Sequence, residues 1–230
     1  MQLHPSNFTL QTFVVALSLS LAVTAAADAP VAYRVSIPAP EHHYAQIEVT
    51  FPNVPAGTLE MRMSRSSPGR YAVHEYAKNV FELQAFDGKG KPLVATRPNP
   101  YQWDVAGHDG TVRIVYKIYG DHVDGTYLAI DPSHAHLNMP ATLMWARGLD
   151  SRAVRMTFEL PKNSAWIAAT QLYPTSDPLT FTAPNLQYLM DSPTELSAQT
   201  IRTFKVRGGD GKEQTIRAAI HHDAGDAEIN

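Results

Sequence analysis

The stretch Tyr44-Ala45-Gln46-Ile47-Glu48-Val49-Thr50-Phe51 alternates apolar and polar side chains. Successive side chains of a strand point to opposite faces, so Ile47, Val49 and Phe51 share one side while Gln46, Glu48 and Thr50 share the other. That pattern predicts a strand buried on one face only. Thr58-Leu59-Glu60-Met61-Arg62-Met63 repeats it with Leu59, Met61 and Met63 inward. Between the two, Pro52-Asn53-Val54-Pro55-Ala56-Gly57 reads as a turn, which predicts a hairpin.

Outward from this pair the same period recurs. Thr111-Val112-Arg113-Ile114-Val115-Tyr116-Lys117-Ile118-Tyr119 predicts a long strand, and Arg155-Met156-Thr157-Phe158-Glu159-Leu160 another that stops at Pro161. Thr203-Phe204-Lys205-Val206-Arg207 and Gln214-Thr215-Ile216-Arg217-Ala218-Ala219-Ile220 flank Gly208-Gly209-Asp210-Gly211, a loop suited to a hairpin. Short strands separated by turn signals argue for a mainly β fold, an antiparallel β-sandwich or curved sheet with one or two short helices. The best helical candidate is residues 69–79, a short helix or turn after Ser67-Pro68.

The 230 residues carry 19 Lys and Arg against 22 Asp and Glu, a net charge of -3, with the basic residues scattered. Such a balance offers no electrostatic footprint for nucleic acid or an anionic membrane. Residues 1–27 differ from the rest: an apolar run from Phe13-Val14-Val15 through Leu21-Ala22-Val23 precedes Ala25-Ala26-Ala27. The run is short for a membrane span and ends in small residues, so a signal peptide cleaved after Ala27 is expected, with an uncleaved anchor as the competing reading. A periplasmic or secreted location follows. With no cysteine in the chain, stability must come from a hydrophobic core and not from disulfides.

The residue patterns that could carry chemistry are fragmentary. A zinc peptidase helix needs two histidines one turn apart with a glutamate between them. His74-Glu75-Tyr76-Ala77-Lys78 begins that way, but Lys78 stands where the second imidazole belongs, leaving a solvated polar face beside a packed Tyr76. His134 and His136 would share a face if extended, and Asp131 lies nearby, yet the sequence locates no third ligand. His42-His43 and His221-His222 would project to opposite faces, as exposed polar pairs. Asp121-His122-Val123-Asp124-Gly125 lacks the glutamate that closes a calcium loop and reads as a turn. No serine sits in a nucleophile elbow, and Glu213 follows Gly211-Lys212 where a phosphate loop needs Ser or Thr. Tyr101, Trp103, Trp145, Trp166 and Tyr173 are either core or a stacking surface for ligands.

Three ordered segments carry a family likeness. They are Ser67-Pro68-Gly69-Arg70-Tyr71 with His74-Glu75-Tyr76-Ala77-Lys78-Asn79-Val80; Asn138-Met139-Pro140-Ala141-Thr142-Leu143-Met144-Trp145, leading to Leu160-Pro161 and Trp166-Ile167-Ala168-Ala169-Thr170; and Tyr188-Leu189-Met190-Asp191-Ser192-Pro193-Thr194-Glu195-Leu196. In this order and spacing the chain resembles the N-terminal domain of the glycyl aminopeptidases, the sixty-first metallopeptidase family. Leu196-Ser197 departs from the glycine that often follows that last glutamate in the family.

The resemblance implies an exported bacterial enzyme with a β-rich N-terminal domain, a thermolysin-like zinc domain and a PDZ domain. On that reading residues 28–222 are the N-terminal β domain and residues 223–230 are the start of a catalytic domain that is missing, so the chain is expected to be truncated. It is expected to be noncatalytic, to hold no metal itself, and to show no peptidase activity alone. Its partners would be the catalytic zinc domain of the same protein and a peptide substrate, with no nucleic acid, and no membrane after signal cleavage. The domain would border the substrate cleft, making Arg70, Tyr71, Asp191 and Glu195 substrate-facing or domain-interface candidates; turns and intradomain hydrogen bonds are the plainer roles for the same four. An apolar patch should then lie exposed near the C-terminal hairpin. The alternative is an independent exported module binding peptide or carbohydrate through its aromatic residues.

Overall fold

The computed structural model describes residues 29–222, so the expected signal peptide and the expected catalytic-domain entry lie outside the described residues. The protein is mainly β. Its largest sheet has eight strands, in the order Tyr173–Pro174, Thr180–Ala183, Val154–Glu159, Val31–Ser36, Tyr44–Phe51, Val112–Tyr119, Val80–Asp87 and Pro92–Leu93. A second sheet runs Ile167–Thr170, Thr194–Ser197, His134–Leu137, Leu128–Ile130, and a third runs Met144–Ala146, Leu59–Met63, Gln102–Val105, Ala95–Asn99. Thr200–Arg207 and Glu213–Ile220 form a separate hairpin. Among the described strands one neighbouring pair is parallel, Val31–Ser36 with Val154–Glu159.

Tyr44–Phe51 sits where the alternation predicts. Ala45, Ile47, Val49 and Phe51 are buried, and Val49 lies opposite Tyr33 on one side and Ile114 on the other. Withdrawing Ile47, Val49 or Phe51 from water contributes roughly 1.5–3 kcal/mol each. The opposite face of the same strands is a charge ladder in which Glu48 pairs with both Arg34 and Arg113. Exposed pairs of this kind contribute little to stability and chiefly keep that face wet.

The predicted hairpin between Tyr44–Phe51 and Leu59–Met63 does not form. Tyr44–Phe51 pairs with Val31–Ser36 and Val112–Tyr119, while Leu59–Met63 lies in the third sheet between Met144–Ala146 and Gln102–Val105. Longer apolar strands occupy both edges of Tyr44–Phe51. The connection is tied down as it leaves the sheet: the Arg152 guanidinium donates to the carbonyls of Pro52 and Asn53, and Val54 N–H donates to the Gly110 carbonyl at 2.8 Å.

The short helix or turn predicted over residues 69–79 takes two separate forms, a turn at Pro68-Gly69 closed by Arg70 N–H donating to the Ser67 carbonyl at 3.1 Å and a 3-10 helix at Tyr76–Asn79. Gly69 has a left-handed φ of 75°, and His74 N–H donates to the Arg65 carbonyl at 2.8 Å, so no continuous helix joins the two turns. The two α-helices lie elsewhere: α1 is Met139–Thr142, and α2 is Leu186–Met190, capped by Asn185 Oδ1 accepting from Tyr188 N–H at 2.9 Å. Pro40–His42 is a second 3-10 turn, which leaves His42 exposed and His43 half-buried against the Ile130 carbonyl instead of on two faces of a strand.

Buried side chains from Val31 to Leu196 form one core in which no residue of the terminal hairpin takes part. Two tyrosines tie the large sheet to the segment around α1. Tyr33 Oη donates to the Met144 carbonyl at 2.8 Å, and Tyr116 Oη donates to the Thr142 carbonyl and accepts from Met144 N–H, both at 2.9 Å.

Candidate functional site

Along His134–Leu137 every second side chain is core: Ala135 and Leu137 are fully buried. His134 and His136 must therefore share the opposite face. Thr194–Ser197 runs antiparallel beside them and sets Glu195 directly across from His136, with Nδ1 of His136 3.4 Å from Glu195 Oε2. The terminal hairpin then brings back His221 just beyond Ile220. Its Nδ1 lies 3.8 Å from Glu195 Oε1, and its ring is centred 4.8 Å from that of His134.

One ligand atom each from His134, Glu195 and His221 falls within 4.8 Å of the others. The Nδ1 of His134 faces Asp131 Oδ1 at 3.3 Å and the Ser133 hydroxyl at 3.1 Å, which turns its Nε2 the other way. Asp131 is itself held by the N–H groups of Ser133 and His134. Two atoms of the cluster, Glu195 Oε1 and His136 Nε2, are buried without a hydrogen-bond partner. Such atoms usually have a partner in folded proteins.

Two grooves meet at this cluster. One, of about 400 Å³, is lined by Val123, Asp124, Ala129, His134, Glu195 and His221. The other, of about 640 Å³, shares His136, Glu195 and Ala219 and adds apolar walls from Ile167 and Ile201. Asp124 accepts from the Thr126 hydroxyl and N–H, bonds that hold its carboxyl below the usual range against partial burial. The result is a concave strip with imidazole, carboxylate and apolar surface side by side, able to receive a cation or an extended peptide.

The four residues named from sequence fall around this strip unequally. Glu195 is in it. Arg70 is exposed and reaches its rim through Asp124, with Nη2 3.4 Å from Oδ2. Tyr71 is fully exposed, and Asp191 is an exposed C-cap of α2 whose carbonyl accepts from Gln171, itself a residue of the larger groove. Sequence reasoning missed His221 as a companion of His134, because the two are joined only by the return of the hairpin.

The residues of the broken zinc signature do not fit a catalytic zinc ion. His74 is buried and not solvated; it stacks on Tyr76 with centroids 4.8 Å apart and meets the Tyr127 hydroxyl through Nδ1 at 3.0 Å. Burial together with the charge of Tyr127 pushes the Tyr76 phenol up to about 12. Lys78 is exposed on a 3-10 turn, so its position would not face His74 as a helix residue would. The five candidate aromatics are likewise dispersed: Trp103 and Trp166 are core, while Tyr173 is exposed at the sheet edge and stacks on Tyr188. Tyr101 and Trp145 are half-buried and line separate grooves.

A model of the peptidase M61 N-terminal domain matches residues 32–198. No curated protein matches the chain. Among solved structures, an aminopeptidase N family protein from Idiomarina loihiensis is similar over 86% of this chain and 34% of its own, at 19% identity and a TM-score of 0.76. An M1 zinc metallopeptidase from Deinococcus radiodurans is similar over 81% of this chain and 45% of its own, at 16% identity and a TM-score of 0.43. Aminopeptidase A of Legionella pneumophila is similar over 86% and 25%, at 12% identity and a TM-score of 0.48. The chain thus spans about a third of the length of the Idiomarina protein whose fold it shares. With a match that runs from the first strand to the glutamate strand of the candidate site, the chain belongs to the peptidase M61 N-terminal domain family.

Proposed function

We propose that this chain acts as the noncatalytic N-terminal β domain of an exported glycyl-aminopeptidase-like zinc metallopeptidase. It borders the substrate cleft when a catalytic domain is joined to it. The observation that carries the reading is the family match over residues 32–198 together with the absence of a fitting catalytic zinc set at His74, Glu75 and Lys78. The terminal hairpin adds support. Phe204 is 50% exposed, Val206 39% and Ile216 38%, and cross-strand pairing puts Phe204 beside Ile216. An exposed apolar sheet face of this kind suits a covering domain. Arg70, Tyr71, Asp191 and Glu195 then belong to the surface turned toward the substrate or that domain.

Two measurements test this. The purified chain should release no p-nitroaniline from glycyl- or alanyl-p-nitroanilide, whereas the same domain joined to a family catalytic domain should. In the joined protein, Arg70→Ala and Tyr71→Ala should raise KM with little change in kcat, because they remove contacts made equally in ground and transition states. Turnover by the isolated chain, or joined variants indistinguishable from the parent, would overturn the reading. For export, the protein recovered from the periplasm or medium should begin at Asp28.

A further inference from the structure

We propose that His134, Glu195 and His221, with His136 alongside, form a site for a divalent transition metal, best suited to zinc, that fastens the terminal hairpin to the second sheet. This goes beyond the reading as an aminopeptidase domain and does not depend on it. It also revises the expectation that the chain holds no metal, which came from the family resemblance and from the lack of a third ligand for His134 and His136.

Convergence is the first argument. Residues 134, 195 and 221 come from three separate elements, yet their ligand atoms lie within 4.8 Å of one another. In a tetrahedral zinc site with bonds near 2.0–2.1 Å, neighbouring ligand atoms stand about 3.3 Å apart, a distance side-chain rotation can supply from here. Donor chemistry is the second argument. Imidazoles with one carboxylate suit zinc and its neighbours, whereas calcium and magnesium prefer oxygen alone.

The surroundings supply a third. A metal-binding histidine commonly gives its other ring nitrogen to a carboxylate, which orients the ring. Asp131 takes this part for His134 at 3.3 Å and is itself fixed by two backbone N–H groups, leaving Nε2 as the ligand atom. Glu195 Oε1, buried without a hydrogen-bond partner, lies toward His221 at 3.8 Å. A cation between these groups would satisfy that oxygen. Among the described residues no lysine or arginine lines the smaller groove, and Arg70 reaches only its rim, where it pairs with Asp124 and not with the histidine cluster.

The position explains what the ion would do. The hairpin contributes nothing to the core, and His221 stands immediately after its second strand. A bond from His221 through the metal to His134 and Glu195 would hold its base against the second sheet, in the way structural zinc sites fix small elements.

The test uses the tag-free chain, stripped with chelator and titrated with zinc by calorimetry, with metal content measured after dialysis. We expect one equivalent bound, a rise in Tm, and, on cobalt substitution, the visible absorption of a tetrahedral site. His221→Ala, at an edge outside the core, should weaken binding at least tenfold without loss of fold, and Glu195→Gln should do the same. His221→Cys, which restores a ligand, should recover most of the affinity, and the exposed control His42→Ala should change nothing. Hydrogen exchange of residues 200–220 should slow when zinc is added to the parent and not to His221→Ala. Absence of stoichiometric zinc at micromolar concentrations, or equal affinity in parent and His221→Ala, would overturn the site. None of these readouts is peptidase activity, so failure here and failure of the aminopeptidase reading are distinguishable.

Discussion

Replacing Tyr116 by Phe removes one oxygen and disconnects two layers of the fold. That oxygen, fully buried, donates to the Thr142 carbonyl and accepts from Met144 N–H, both at 2.9 Å. The ring still fits, so no cavity opens and the cost is confined to hydrogen bonding. A buried backbone group deprived of its partner costs about 1–3 kcal/mol, and two are deprived here. Phe saves the desolvation of the hydroxyl, which brings the expected net loss to about 2–4 kcal/mol. For a domain of this size that corresponds to a Tm drop of roughly 4–16 °C. Tyr33→Phe deprives a single acceptor, the Met144 carbonyl at 2.8 Å, and should cost about 1–2 kcal/mol. The assay is urea unfolding followed by far-ultraviolet circular dichroism, with thermal melts alongside. A loss below about 0.5 kcal/mol in Tyr116→Phe, or a larger loss in Tyr33→Phe than in Tyr116→Phe, would refute the reasoning.

Stability should also fall at alkaline pH. Burial raises the Tyr33 and Tyr116 phenols well above their ordinary range, so above pH ~10 the unfolded chain gives up protons that the folded one keeps. Unfolding free energy should then drop as pH rises past 10, the slope approaching about 1.4 kcal/mol per pH unit for each raised phenol, with Tyr76 adding its share up to about pH 12, and Tyr116→Phe should make the slope shallower; a flat profile from pH 10 to 11.5 in urea titrations would contradict this. Gly120→Ala should destabilise by about 2–3 kcal/mol in the same assay, because its methyl would stand 2.2 Å from Leu128 Cγ and 2.8 Å from the Leu128 carbonyl oxygen, which cannot move freely. Phe204→Ser with Ile216→Thr should leave stability within about 0.5 kcal/mol while lowering dye binding and self-association, since neither side chain belongs to the core. Lys78→His should bind no additional equivalent of zinc, as His74 and residue 78 lie on either side of a 3-10 turn start.

The fold class was legible because strand alternation is a local property. Ile47, Val49 and Phe51 face the core as their period requires, and the terminal strands pair around Gly208-Gly209-Asp210-Gly211 as their loop suggests. Which strands pair is a different matter. Sequence neighbours Tyr44–Phe51 and Leu59–Met63 joined different sheets because the better apolar edges for each lay far along the chain, at Val112–Tyr119 and Gln102–Val105. Helix placement was legible only in part: turns stand on both ends of residues 69–79, but a left-handed Gly69 and the bond from His74 N–H to the Arg65 carbonyl interrupt any continuous helix between them, while Asn185, a cap readable in principle, marked α2.

The site divides along the same line. Sequence alone determined that Lys78 breaks the zinc signature and that His134 and His136 share a face, because identity and short spacing fix both. Only the tertiary structure decided that Glu195 stands opposite His136 and that His221 returns to His134. A ligand set spread over three elements has no spacing to read: its geometry exists only once antiparallel register and the hairpin return have brought the residues together.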